Sequence, residues 1–135
     1  MKSERTFPAT EDGLSQAAAF LDEALAAAGM GALPFAGKFG IVLDELASNV
    51  VRYSGATRMA VSFEAPGGGV ARLSVADDGA AFDPLARPDP DTTLDAAHRG
   101  IGGLGIFMAK KLSKTISYRR DGDENVVEAT IDAGR

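Results

Sequence analysis

Met59-Ala-Val-Ser-Phe-Glu-Ala-Pro-Gly-Gly-Gly-Val-Ala-Arg-Leu-Ser-Val-Ala-Asp-Asp-Gly79 reads as two strands and a turn. Met59, Val61 and Phe63 alternate with Ala60, Ser62 and Glu64, and Ala71, Leu73 and Val75 alternate with Arg72 and Ser74. Strict alternation gives each strand one apolar face, and the triglycine between them suits a hairpin loop. Continuing the odd-numbered row past Val75 puts Asp77 on the core-facing side and Asp78 on the other. A carboxylate ending a buried row is costly unless something satisfies it, which singles out Asp77. Taken alone, Asp77-Asp78-Gly79 is also an ordinary turn after a strand.

Working outward toward the N-terminus, residues 35–53 predict a helix. Phe39, Leu43, Leu46, Ala47 and Val50 share one arc of a helical wheel, and Lys38, Glu45, Asn49 and Arg52 share another. Glu45 and Asn49 are therefore neighbours one turn apart, on a polar stripe beside the core face. Such a pair is also what a solvated helix face presents. Ser54-Gly55-Ala56 ends the helix. Before it, Thr10 reads as an N-cap with Glu11 and Asp12 in the first turn. Leu14, Ala18, Leu21, Leu25 and Ala28 then mark an amphipathic helix stopped by Gly29, with a linker to Pro34. Lys2 to Pro8 reads as a short first strand.

Toward the C-terminus, residues 84–103 carry three prolines, several aspartates and no periodicity. A loop of about twenty residues in a compact domain is more often functional than idle. A helix is predicted over 104–112 and a strand at Ile116 and Tyr118. A turn at Asp121-Gly122-Asp123 leads to a last strand carrying Val127, Ala129 and Ile131. The expected fold is α+β: one domain over 1–135, a two-layer sandwich with a mainly antiparallel sheet and helices on one face.

Gly100-Ile-Gly-Gly-Leu-Gly105 fits a dinucleotide fingerprint as text. That fingerprint must follow a strand inside a βαβ unit, whereas here it follows a proline- and aspartate-rich loop. No P-loop string is present. Glycines opening a helix still offer converging N–H groups to an anion, or they simply make a flexible, glycine-capped helix start. The formal charge of −5 and the lack of basic runs argue against nucleic-acid binding. With no cysteine and only His98, thiolate sites, histidine metal sites and a serine–histidine dyad are disfavoured. No signal peptide or membrane span is apparent, so a cytoplasmic protein is expected.

In combination these strings resemble the GHKL nucleotide-binding superfamily, whose Bergerat fold is shared by histidine kinases, gyrase and MutL. Glu45–Asn49 resembles its N box, Asp77–Pro84 its G1 box and Gly100–Gly105 its G2 box. Phe82-Asp83-Pro84, Gly102 to Ile106 running into Lys111-Leu112, and Tyr118-Arg119-Arg120 make the chain most similar to the anti-sigma-factor serine kinases of bacterial partner switching.

The resemblance implies ATP and Mg²⁺ as cofactors and a flexible ATP lid. It implies that Asp77 accepts a hydrogen bond from the adenine amino group and that Gly79 lets the base approach. Asn49 would bind Mg²⁺, while Gly102, Gly103, Leu104 and Gly105 would wrap the phosphates, with Arg99 in the lid as a candidate phosphate contact. Glu45 would be the catalytic base that orients an acceptor hydroxyl. Implied partners are a STAS-domain anti-anti-sigma protein, a sigma factor or other regulator, and a second copy in a homodimer; neither nucleic acid nor membrane is implied. Tyr53 departs from the histidine common at that place in these kinases. Alternatives are a non-catalytic module that changes partners with ATP or ADP, a water-activating ATPase, or a detached histidine-kinase-like domain.

Overall fold

A computed structural model describes residues 2–32, 35–67, 69–86 and 103–132. Its elements are β1 (Lys2–Pro8), α1 (Glu11–Ala27), α2 (Phe35–Asn49), β2 (Arg58–Gly67), β3 (Val70–Asp77), α3 (Gly103–Leu112), β4 (Thr115–Asp121) and β5 (Glu124–Asp132). Most of the expected loop lies outside the described residues, and so do Arg99, Gly100 and Gly102.

The strands form one fully antiparallel sheet in the order β1-β2-β3-β5-β4. Its odd-numbered row faces the helices as the alternation requires: Met59, Val61, Phe63, Ala71, Leu73, Ala129 and Ile131 are all fully buried. Phe39 of α2 meets Phe63 edge-on with ring centroids 5.8 Å apart. The even-numbered row is polar, and on it Arg72 pairs with Glu64 and Glu128. One face is thus covered by helices and the other faces solvent, the usual economy of an antiparallel sheet.

Thr10 caps α1 as expected, its hydroxyl accepting from the Gly13 N–H at 3.1 Å. The buried stripe of α1 differs from the expected one. It consists of Gly13, Ala17, Phe20, Leu21, Ala24 and Leu25, while Ala18 is exposed and Leu14 only half-buried. Phe20 turns the helix: its ring packs on Phe7 of β1 at 5.8 Å, and the alanines tolerate either face. The second helix is also more complex than a uniform α-helix to Tyr53. It ends at Asn49 and continues as a wider π-helical turn over Val50–Ser54, closed by Gly55 in the left-handed region at φ 71°. Only glycine adopts that conformation without a Cβ clash.

Asp78 points away from the core, as its even register requires, and ties the end of β3 to the start of β2. Its carboxylate accepts from Thr57 N (2.8 Å), Thr57 Oγ1 (2.6 Å), Arg58 N (3.1 Å) and Arg58 Nη1 (2.9 Å). The Thr57 hydroxyl, the Arg58 backbone N–H and the other donors hold the Asp78 pKa down at about 2.

Candidate functional site

Asp77 ends β3 on the buried face and is 5% exposed. Its Oδ1 accepts from the Gly79 N–H at 2.9 Å and from Asn125 Nδ2 at 3.1 Å. Among the described residues Oδ2 has no partner, so this carboxylate keeps one acceptor oxygen to offer. Asn125 stands opposite Asp77 in the β3–β5 register and is 2% exposed. Its Nδ2 also donates to Ala80 O at 2.8 Å, and its Oδ1 accepts from Tyr118 OH (2.7 Å), Phe82 N (3.1 Å) and Arg120 Nη1 (3.2 Å). Sequence reading passed over Asn125, although the signal was there: the row Ile131, Ala129, Val127 runs back to position 125 just as the β3 row runs forward to Asp77.

Asn49, at the end of α2, is 7% exposed and donates from Nδ2 to the Glu45 carbonyl at 2.9 Å. With both lone pairs of Oδ1 unshared among the described residues, the amide presents an acceptor suited to a hard cation. Asn49, Asp77 and Asn125 line one small cavity, walled by Leu46, Val50, Phe82 and Val127. Its volume is about 10 Å³ measured for the centre of a water-sized sphere, room for one water or one amino group. Phe82 lies beside Tyr53, ring centroids 6.2 Å apart.

Glu45 does not line this cavity. It sits one turn back along α2 and is half-buried. Burial, with the neighbouring Asp44 charge adding to it, raises its pKa above the ordinary 4.5; Arg52 opposes the shift. A half-buried carboxylate of raised basicity has the character of a general base.

Gly79 has a structural reason of its own. A Cβ there would lie 2.3 Å from the Ser54 carbonyl oxygen, the same oxygen that accepts from Ala80 N at 3.1 Å. This contact locks the π-helical turn after α2 against the end of β3, and so brings Asn49 beside Asp77. Ser54 is itself fixed, its buried hydroxyl donating to Val50 O at 2.8 Å and accepting from Ala56 N at 3.1 Å.

Of the glycine string, the backbone of Gly103, Leu104 and Gly105 forms the first turn of α3. The leading N–H groups of a helix have no intrahelical partner and suit an anion. No cluster of three His, Asp or Glu side chains that could hold a metal occurs among the described residues. A magnesium ion held mainly by phosphate, water and one amide oxygen fits that donor set.

Residues 7–131 match the family model of the histidine kinase-like ATPase domain. No curated protein matches the chain. Among solved structures, the chain is similar to the RsbU and RsbW domains of Rv1364c from Mycobacterium tuberculosis, with 19% identity and a TM-score of 0.69. The match covers 97% of this chain and 31% of that one, so the chain spans under a third of that protein. It is also similar to the Acinetobacter baumannii histidine kinase AdeS, with 18% identity, a TM-score of 0.55, and coverage of 98% and 68%. At such identities the likeness is one of fold.

Proposed function

The chain belongs to the histidine kinase-like ATPase domain family, and we propose that it is an ATP-binding anti-sigma factor and serine/threonine kinase. Its substrate in this reading is a STAS-domain anti-anti-sigma antagonist, and the regulator it sequesters is a sigma factor or similar protein. The likeness of fold to an RsbW domain supports the reading, and the state of Glu45 carries it.

ATP with Mg²⁺, when bound, supplies the phosphoryl group. Asp77 Oδ2 accepts the adenine amino hydrogen, and the small cavity admits that amino group while excluding the ring. Asn49 Oδ1 would hold the cation and the first turn of α3 would donate N–H groups to phosphate oxygens, with Arg99 and Gly102 as further candidate phosphate contacts. Glu45 orients the acceptor hydroxyl and takes its proton. Because Glu45 and Asn49 lie one helical turn apart, about 6 Å, that hydroxyl is set at a fixed place relative to the cation. Phosphoryl transfer needs little beyond such alignment and charge neutralisation. The protein acts in the cytoplasm as a homodimer in this reading; among the described residues no helix is long and apolar enough to cross a membrane.

The test is phosphate transfer from Mg-ATP to a purified candidate STAS protein. Wild type is expected to transfer, and Glu45→Gln to bind ATP normally but transfer at least about a hundredfold more slowly, the scale of a lost general base. A wild type that binds ATP but transfers to no such partner would reject the kinase reading and leave a nucleotide-dependent binding module.

A further inference from the structure

Asn125 is buried across the sheet from Asp77, and the nucleotide reading gives it no task. Its hydrogen-bonding capacity is spent inside the protein: two donors to Asp77 Oδ1 and Ala80 O, three acceptances at Oδ1 from Phe82, Tyr118 and Arg120. An amide so committed has nothing left to offer a ligand and can act only through its neighbours.

We propose that Asn125 is the positioning residue for base selection: it fixes the orientation of Asp77, leaving Oδ2 as the oxygen open to the base, and thereby favours an amino-bearing purine over a keto-bearing one. The inference rests on the reading of Asp77 as the base contact and deepens it. The physical basis is directional. Asp77 Oδ1 receives two N–H donors, from Gly79 at 2.9 Å and Asn125 at 3.1 Å. Rotation of the carboxylate would break both bonds. Oδ2 is consequently held in place, and as a carboxylate oxygen it matches the hydrogens of an amino group and repels a carbonyl oxygen.

The same amide steers the cavity wall. Ala80 O and Phe82 N both end on Asn125, and Arg120 Nη1, shared between Asn125 Oδ1 and Gly79 O (2.9 Å), closes the ring of bonds. The acceptor and the aromatic wall it works beside are thus set by one side chain. Tyr118 and Arg120 orient that side chain from β4, which gives the motif Tyr118-Arg119-Arg120 a physical task at two of its three positions.

The experiment is calorimetric titration of Mg-ATP and Mg-GTP into wild type, Asn125→Leu and Asn125→Asp. Wild type is expected to favour ATP. Asn125→Leu should lose about tenfold or more in ATP affinity, the scale of one hydrogen bond, with GTP affinity unchanged. A merely structural role would weaken both nucleotides alike through the phosphate contacts. Asn125→Asp keeps the shape and adds a test by pH. Its carboxyl faces Asp77 from β3 and Tyr118 and Arg120 from β4, so two adjacent carboxylates hold one proton until the pH rises. While protonated, the new side chain still donates to Asp77, and ATP binding should stay near wild type. As that proton leaves, ATP affinity should fall about tenfold, while wild type stays level over the same range. A wild type that binds neither nucleotide overturns both this inference and the function it rests on. A wild type that selects ATP, beside variants that select it equally at every pH, overturns this inference alone.

Discussion

Glu45 and Asp78 show how differently two carboxylates of one domain are treated. Asp78 is surrounded by donors and held ionised, whereas Glu45 is half-buried with a like charge beside it and made reluctant to ionise. The raised Glu45 pKa has two consequences of opposite sign. A folded-state pKa above the unfolded value makes ionisation costly, so stability falls as pH rises from the unfolded value through the folded one. Glu45→Gln should therefore melt slightly higher than wild type at neutral pH, while losing transfer. If Glu45 is the base of the proposed reaction, the raised pKa sets the acid limb of the rate profile, since a base must be deprotonated to work. Asp44→Asn removes a charge that raises the pKa and should move that limb to lower pH. Arg52→Gln removes one that lowers it and should move the limb up. A pH–rate profile of the three proteins checks both directions.

At the level of elements, the joint between the end of α2 and the end of β3 makes the site. Gly79 serves it through space rather than backbone freedom, because its φ is not in the left-handed region. Gly79→Ala must push the Ser54 carbonyl away, and is expected to destabilise by roughly 1–3 kcal/mol as overpacking does. It should also weaken ATP binding by separating Asn49 from Asp77; a urea titration and calorimetry read the two effects. Much of this joint was legible in the sequence. Strand alternation is strict, and it put Asp77 inside and Asp78 outside correctly. The helical wheel likewise named Phe39, Leu43, Leu46, Ala47 and Val50, all buried, though it omitted Val42. The π-helical turn was not legible, because its end is held by the Ala80 N–H on the Ser54 carbonyl, a contact remote in sequence. The α1 stripe was misplaced because alanine carries little preference for either face, leaving Phe20 and its partner Phe7 to decide. Asn125 was overlooked because polar residues next to a turn are usually solvated, although the alternation of β5 carries back to it and the β3–β5 pairing sets it opposite Asp77.

For the molecule as a whole, ligand binding and folding draw on the same contacts. ATP at about a hundred times its Kd should add about 2.7 kcal/mol of stability. That corresponds to a Tm rise of roughly 10 °C for a domain of this size. Asp77→Asn should largely abolish the rise, since an amide can present a donor where the base needs an acceptor; thermal melts with and without Mg-ATP measure it. The topology adds a condition in time. Asp77 and Asn125 are 48 residues apart along the chain, yet adjacent in the sheet. A chain emerging from the ribosome can pair β1, β2 and β3 early, but Asp77 then stands at an open sheet edge with its Asn125 donor still unmade. Only when β5 inserts beside β3 does the carboxylate acquire its orientation. The Asp77 acceptor is therefore complete only once β5 has joined the sheet, so full nucleotide affinity is expected to appear with the last strand and not before it.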